Sequence, residues 1–319
     1  GTSTNGAGAF GATMNFSTNE VNLQPEAEIN NSFGSFNTFK HTVKASSGLL
    51  GEKFTVDARL SSINSNGYID RATTDLKSFY FSTAYLKEKT AVRLNIISGK
   101  ERTYQAWNGI SEADLKTNRT INYAGMERPG KPYENETDKY LQSHYQFFIN
   151  HSFSNALSFN TAAFYTRGNG YYEQYKAERE YSEIGLPDIT IGGETIAETD
   201  LIRQLKLDNH FYGQVFTFQY KKEAAEISLG GGWNVYKGNH IGKILWAQNG
   251  GVPDNYTWYN HPANKKDRNI YLKMQHEIFN NLSAFVDFQY RSVQYTLQGF
   301  RDNPHISFDN NYNFFNPKF

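Results

Sequence analysis

The sequence predicts an all-β protein, and three observations support this prediction. Apolar and polar residues alternate with a period of two along most of the chain, and helical patterns are nearly absent. Aromatic residues make up 16% of the chain, although hydrophobic residues make up only 38%. A disordered chain would be poor in aromatic residues, and an ordinary globular core would be richer in aliphatic ones. The combination is typical of antiparallel strands with one apolar face and one polar face.

Residues 54–61 show the alternation most clearly, because Phe54, Val56 and Leu60 alternate with polar side chains. The same alternation recurs over residues 92–96, 141–150, 270–275 and 284–291. A soluble β-sandwich produces the same pattern, so one strand alone does not decide between a sandwich and a membrane barrel.

The connections between strands favour an antiparallel transmembrane β-barrel. About eleven strands are predicted, over residues 26–36, 37–48, 53–68, 74–86, 90–104, 138–153, 157–175, 207–222, 224–244, 268–279 and 282–299. Short joints alternate with mostly longer ones, which are predicted at 106–137, 177–206, 246–267 and 301–310. Short turns on one side and long loops on the other are typical of outer-membrane barrels. Short helices are predicted within the loops at 111–116 and 195–207.

Composition excludes several classes of protein. No stretch approaches the roughly 18 uninterrupted apolar residues of a membrane-spanning helix. Lys and Arg total 32, as do Asp and Glu, so no charge excess indicates a nucleic-acid partner. The chain has no cysteine, and its 8 histidines show no metal-ligand spacing. No pair of carboxylates and no Ser-His-acid arrangement indicates catalysis. We therefore expect no enzyme activity, no cofactor and no metal site.

The opening residues 1–19 contain a formal GxGxxG at Gly6, Gly8 and Gly11. A dinucleotide site would need a strand before this motif and a helix after it, and the flanking residues fit neither. The segment instead resembles the end of the plug domain in TonB-dependent outer-membrane receptors. The resemblance continues at Ser32–Thr38, which is similar to the first hairpin of that family, and at Gly67–Asp70, which is similar to its second outer loop.

Tyr104–Gly109 and Tyr165–Glu173 resemble the Bacteroidetes-type members of the family that take up iron complexes. The resemblance implies that residues 1–22 form the C-terminal end of the plug and its linker. Residues 23–319 would then be the N-terminal half of the barrel, with about 11–12 of about 22 strands. Only the last plug strand is represented and no TonB box is present, so the chain resembles an internal part of a longer receptor.

The resemblance also implies a function, a location and partners. The expected function is import of a scarce chelate, with an iron–siderophore complex as the expected ligand, by energy-coupled movement of the plug. The expected location is the outer membrane of a Gram-negative bacterium. The expected partners are outer-membrane lipid and, through the missing part of the plug, the TonB energy-transducing complex. Two alternatives stay open: a passive porin-like channel, against which the plug remnant argues, and a soluble all-β glycan-binding module.

Aromatic residues in or beside the long loops are the best candidates for ligand binding, because their faces can hold catecholates or the rims of metal chelates. The candidates are Trp107, Tyr123, Tyr172, Trp246, Tyr256, Trp258, Tyr259 and His261. For residues at strand ends, such as Tyr104, Tyr171 and Tyr172, an interfacial aromatic girdle is the alternative interpretation.

Charged loop residues and histidines form a second set of candidates. Basic side chains could attract an anionic chelate, or they could simply be solvated; they are Arg102, Arg119, Arg128, Lys131, Lys265, Lys266 and Arg268. For a haem ligand, the histidines on the predicted outer side would be the residues to test: His240, His261 and His305.

Overall fold

A computed structural model describes residues 21–279 and 282–319, and one antiparallel sheet of 12 strands dominates them. The sheet strands are β1 (Pro25–Gly34), β2 (Thr38–Ser47), β3 (Phe54–Ser65), β4 (Thr74–Lys87), β5 (Thr90–Tyr104), β6 (Thr137–Ser152), β7 (Leu157–Glu180), β10 (Glu198–Lys222), β11 (Ala225–Ala247), β12 (Thr257–Phe279), β13 (Leu282–Phe300) and β14 (Asn303–Lys318). A small separate hairpin, β8 (Ile189–Ile191) and β9 (Glu194–Ile196), lies between β7 and β10. The helix α1 (Glu112–Thr117) and a 3-10 turn (Tyr181–Ile184) lie in loops.

The strands of the sheet follow one another in chain order. The β8–β9 hairpin, which lies between β7 and β10 in the chain, is not part of this sheet. Neighbouring strands are long and pair over most of their length; β10, for example, pairs with β7 on one side and β11 on the other. The register shifts between Ile202 and Arg203 and between Gly242 and Lys243. Such irregularities redirect side chains near functional sites, and both of these lie towards the long-loop end of their strands.

The sheet has two chemically distinct faces, as the alternation predicts. On the apolar face, large side chains such as Leu60 and Ile270 are 58% and 51% exposed, and no second sheet covers them within the described residues. The polar face carries hydrogen-bonded side chains instead. Arg291 there binds the buried carboxylate of Asp267 through Nη2 and Oδ2 at 2.5 Å. Because the twelve long strands form one sheet rather than two packed ones, the architecture differs from that of a β-sandwich.

Most connections sort by length as predicted, although the long-loop end also carries the short joints at residues 35–37 and 301–302. One end of the sheet carries short turns, at residues 88–89, 153–156 and 223–224 among others. The other end carries the long loops 105–136, 181–197 and 248–256. The sequence-based prediction of an all-β fold with this hairpin order is therefore confirmed.

One predicted loop helix is correct and the other is wrong. Ser111 caps α1, since its side chain accepts a hydrogen bond from the backbone of Asp114 and the Asp114 side chain accepts one in return from the Ser111 backbone. Residues 195–207, predicted as a helix, instead contribute to β9 and to the start of β10. Two predicted loops are also largely strand: β14 begins at Asn303, so most of 301–310 is strand, and β12 begins at Thr257, so only 248–256 of the predicted 246–267 loop is a loop.

The Gly-rich segment that resembles the plug end lies outside the described residues, as does the joint predicted at 280–281. The division into residues 1–22 and 23–319 therefore stays a prediction. In the described part of the chain, neither helical segment is long and apolar enough to cross a membrane.

Candidate functional site

A cleft of about 670 Å³ opens on the polar face at the long-loop end of the sheet. Its walls come from the end of β7, the 3-10 turn, the upper part of β10, the start of β12 and the β13–β14 turn. The side chains that give it its chemistry are Arg179, Arg203, Trp258, Tyr259, His261 and Arg301. The cleft therefore combines aromatic surface with guanidinium groups.

The aromatic wall of the cleft is formed by residues at the start of β12, which begins at Thr257. The ring centroids of Trp258 and Tyr259 lie 4.9 Å apart in an edge-on arrangement. The rings of Tyr259 and His261 are stacked at 4.9 Å with 9° between their planes. Gly299 makes room for this stack: its φ is +79°, and a Cβ there would lie 2.6 Å from Nδ1 of His261. Nε2 of His261 is buried and has no hydrogen-bond partner among the described residues.

Arg203 is the central cation of the cleft. Its Nε and Nη2 donate to Oε1 of Gln174 at 3.2 and 2.9 Å, and its guanidinium lies 6.0 Å from the Trp258 ring centroid. Burial, and then repulsion by Arg301, lowers the pKa of Arg203. An arginine stays protonated all the same. Its hydrogen-bond partner Gln174 is neutral. A bound anion would therefore offset both the free-energy cost of removing this charge from water and its repulsion by Arg301.

The other two arginines have carboxylate neighbours. Nε of Arg301 donates to Oδ1 of Asp302 at 3.1 Å. Nη1 of Arg179 lies 3.7 Å from Oε2 of Glu183. Both pairs are partly exposed, where such ion pairs contribute little to stability. They can therefore rearrange towards a ligand at low cost.

A small apolar cluster beneath the cleft holds two loops in place. Tyr181, Ile184, Leu201 and Ile244 are all at most 2% exposed, and Trp258 packs against them. The hydroxyl of Tyr181 donates to the backbone carbonyl oxygen of Gly250 at 2.8 Å, which ties the 181–197 loop to the 248–256 loop. The position of the Trp258 side chain is therefore fixed by its packing against this buried cluster.

The 105–136 loop is anchored beside the same strand ends by buried carboxylates. Glu173 accepts hydrogen bonds from the Tyr133 hydroxyl at 2.6 Å, from Nε2 of Gln204 at 2.7 Å and from Asn135. Oε2 of Glu136 accepts one from the backbone N–H of Tyr175 at 3.0 Å. Burial raises the pKa of Glu136, so its carboxyl group takes up a proton more readily than an exposed one. These contacts hold the long loop against β7.

The structure brings part of the predicted aromatic set together. Trp258, Tyr259 and His261 line the cleft. Tyr172 does not line the cleft but lies on β7, the neighbour of β10, where it is the register partner of Leu205, two residues from Arg203. Trp107 contacts Tyr172 edge-on, with ring centroids 5.5 Å apart.

Three other predicted residues lie elsewhere. Tyr256 packs against the apolar cluster, and its hydroxyl donates to the Ile184 carbonyl oxygen at 2.8 Å. Trp246 is the register partner of Ile202 and faces Tyr175, at a ring distance of 6.3 Å, away from the cleft. Tyr123 lies in the 105–136 loop, where a hydrogen bond to Asp114 raises the pKa of its hydroxyl.

The arginines of the cleft were missed by the sequence analysis. They lie in three segments far apart in the chain, and only the strand order brings them together. The basic residues named instead are not among those that line it: Lys265 is on the polar face, Arg102, Lys266 and Arg268 are on the apolar face, and Arg119, Arg128 and Lys131 are in the 105–136 loop.

The histidines named as candidates for a haem ligand lie on three strands, β11, β12 and β14. His240 is the register partner of His261, and burial, then the charge of His261, lowers the pKa of His240. His305 lies on β14. Across the described ranges, no three metal-ligating side chains of the His, Cys, Asp or Glu type converge.

Among known proteins, the chain matches solved structures by its fold and matches none by its sequence. No protein-family model and no curated protein sequence matches it. The ferric-catecholate import receptor Fiu of E. coli K12, in its closed form, matches with a TM-score of 0.68 at 11% identity, over 93% of this chain and 48% of Fiu. The unliganded ferric citrate transporter FecA matches with a TM-score of 0.66 at 12% identity, over 98% of this chain and 45% of FecA.

The ferric preacinetobactin receptor BauA of Acinetobacter baumannii also matches, with a TM-score of 0.64 at 12% identity, over 92% of this chain and 44% of BauA. The chain thus spans about half the length of the structures it matches. All three are named as receptors or transporters, and none as an enzyme. At such low identity the likeness is one of fold: a 12-stranded antiparallel sheet that matches part of the barrel of TonB-dependent receptors.

Proposed function

We propose that this chain forms part of an outer-membrane receptor that imports an anionic iron chelate, such as an iron–siderophore complex, through TonB-coupled movement of a plug. The observation that supports this most strongly is the cleft around Arg203. It joins a partly buried cation with a neutral partner to an aromatic wall, in a sheet that matches receptors for ferric chelates.

The chemistry of the cleft suits a large, flat, anionic ligand. Guanidinium groups recognise carboxylate and catecholate oxygens through paired hydrogen bonds. The indole of Trp258 and the stacked Tyr259–His261 pair offer ring faces to aromatic or chelate surfaces. Binding, followed by movement of a plug, breaks no covalent bond in the ligand. The residues of the cleft therefore act only by holding and orienting the cargo.

The membrane placement in this proposal rests on the two faces of the sheet. The apolar face would meet acyl chains, and the polar face would line a wet interior around a plug. We propose residues 1–22 as the plug end and 23–319 as half of the barrel. We also propose the Bacteroidetes-type iron-complex subclass, which rests on Tyr104–Gly109 and Tyr165–Glu173. In this arrangement TonB would act through the plug, at the end of the sheet opposite the cleft.

The direct test is ligand binding by the full-length protein in detergent. Ferric enterobactin, ferric citrate and haem would be titrated against the wild type and against Trp258→Ala/Tyr259→Ala, with tryptophan fluorescence or calorimetry as the readout. We expect the wild type to bind at least one ferric chelate and the double variant to bind it at least tenfold more weakly. The control is Tyr123→Ala, which removes a loop aromatic residue that lies outside the cleft.

Three outcomes would contradict the proposal or part of it. Binding that is equally strong in the double variant would remove the cleft from the site. Uptake of the chelate that persists after the proton gradient is collapsed would favour the porin-like channel instead. A protein that stays in the aqueous phase without detergent would contradict the membrane placement.

A further inference from the structure

On the apolar face, the side chains become basic towards the long-loop end of the strands. On β5, the apolar outward positions within residues 92–96 are followed by Lys100 and Arg102. On β12, Arg268 and Lys266 continue the face of Ile270 in the direction of the long loops. We call the following side chains the basic belt: Lys77, Lys100, Arg102, Lys139, Lys266 and Arg268. The belt lies where an apolar band ends, which is the level of lipid headgroups in a membrane barrel.

The belt places like charges directly opposite one another. Lys77 is the register partner of Lys100, and Arg102 is the register partner of Lys139. Like charges at such positions destabilise a sheet. An anion bound between them would reverse this effect.

Carboxylate groups neutralise only part of the positive charge of the basic belt. Nζ of Lys77 lies 3.7 Å from Oδ2 of Asp75, and both side chains are exposed. In the ranges that the structure describes, no carboxylate lies within 4.0 Å of the cationic groups of Lys100, Lys266 or Arg268. The exposed positive charge is therefore in excess on this part of the face.

A groove of about 440 Å³ lies on the same face across β2 to β5. Its apolar surface comes from Val43, Leu60 and Phe79, which are 48%, 58% and 38% exposed. Lys77 and Lys100 line the same groove on the side of the long loops. A hydrocarbon surface with cations at one end is complementary to a lipid with an anionic headgroup.

We infer that the basic belt binds phosphate-bearing lipid, with an acyl chain along Val43, Leu60 and Phe79 and the phosphate between Lys77 and Lys100. The inference rests on the membrane placement in the proposed function, but not on the ligand of the cleft. It assigns to the chain a lipid site on the outward face, separate from the aromatic cleft on the polar face.

The test is lipid retention by the full-length protein in detergent, measured by native mass spectrometry with phosphatidylglycerol and phosphatidylcholine of equal chain length. We expect the wild type to retain the anionic lipid at least fivefold better. Lys77→Gln/Lys100→Gln should remove most of this preference, and Lys77→Arg/Lys100→Arg should preserve it. Excess inorganic phosphate should not displace the lipid, because phosphate has no acyl chain to bury in the groove.

The matched control is Lys40→Gln/Lys265→Gln, which removes the same charge from the polar face. Equal retention of both lipids by the wild type, or an equal loss of preference in this control, would overturn the lipid site. Failure of the lipid-site proposal can be distinguished from failure of the receptor proposal. A protein that needs detergent and binds ferric chelate, but shows no lipid preference, lacks only this site. A protein that needs no detergent contradicts the membrane placement itself.

Discussion

Arg203 is the residue on which the recognition of an anion depends most directly. Its guanidinium is partly buried, repelled by Arg301 and hydrogen-bonded to the neutral Gln174. We predict that Arg203→Gln weakens binding of a ferric chelate by roughly 10- to 100-fold, because a hydrogen bond to a charged group contributes about 1.5–3 kcal/mol. Isothermal calorimetry on the full-length protein measures the change.

The control for this prediction is Lys265→Gln, which removes a cation from the same face of the sheet but from outside the cleft. Its affinity should stay within about twofold of that of the wild type. If both variants lose affinity equally, the general charge of the polar face, rather than the position of Arg203, attracts the ligand.

Tyr175 makes a pH-dependent contribution near the same strand ends. Burial and the hydrogen bond that its hydroxyl donates to Asp200 raise the pKa of Tyr175 to about 12. Because this pKa is above its ordinary value, the contribution to stability is complete below about pH 10 and is lost as the pH rises towards 12. Tyr175→Phe should therefore be less stable than the wild type at neutral pH, and the gap should close between these values. Thermal unfolding over that range tests this; a gap that is constant with pH would contradict it.

The aromatic half of the cleft could be predicted from the sequence, but its arginines could not. Trp258, Tyr259 and His261 are close together in the chain, so formation of one strand is enough to bring their side chains together. Arg179 and Arg301 are brought near Arg203 by strand pairing across the sheet, and a single sequence does not state those pairings. Trp246 shows the converse error, since its position after a register shift turns it away from the cleft.

At the scale of elements, the apolar cluster under the cleft joins the 181–197 and 248–256 loops to β10 and β11. Ile184 is 2% exposed within it. We predict that Ile184→Ala destabilises the two loops by about 2–5 kcal/mol and weakens chelate binding as Trp258 loses its support. Hydrogen exchange of the loop amides measures the first effect, and calorimetry measures the second.

Ile191 is a matched control, because it lies in the neighbouring hairpin but is 49% exposed. Ile191→Ala should leave both the exchange rates and the affinity nearly unchanged. Loop amides that exchange equally fast in both variants would show that the cluster does not hold the cleft together.

The start of β10 shows why element type was predictable in most places but not in all. Leu201 and Leu205 are four positions apart, a spacing that puts both side chains on one face of either a helix or a strand. The local pattern therefore does not distinguish the two. Pairing of Leu201 with Ala247 and of Leu205 with Gly242 makes this segment a strand. By contrast, the longer alternation in residues 284–291 fits only a strand, and its prediction is confirmed.

At the scale of the whole molecule, the sheet has one face for lipid and one for water. Met274 lies on the apolar face, and the next residue, Gln275, lies on the polar face. We predict that Met274→Lys lowers the amount of full-length protein in the outer membrane, because a lysine facing mid-bilayer lipid costs about 2–4 kcal/mol. Gln275→Lys, which adds the same charge one residue away, should leave the amount unchanged. Equal loss in both variants would indicate a general effect of charge rather than of the face.

The measurement that tests the two-faced sheet most directly is a nitroxide scan of residues 270–275 on β12 in the full-length protein, reconstituted in lipid vesicles. Labels at 270, 272 and 274 should collide with oxygen dissolved in the bilayer and should be shielded from a water-soluble nickel chelate. Labels at 271, 273 and 275 should show the reverse preference for the two relaxants. Accessibility that does not alternate, or nickel access at 270, 272 and 274, would contradict the membrane placement and the receptor function proposed from it.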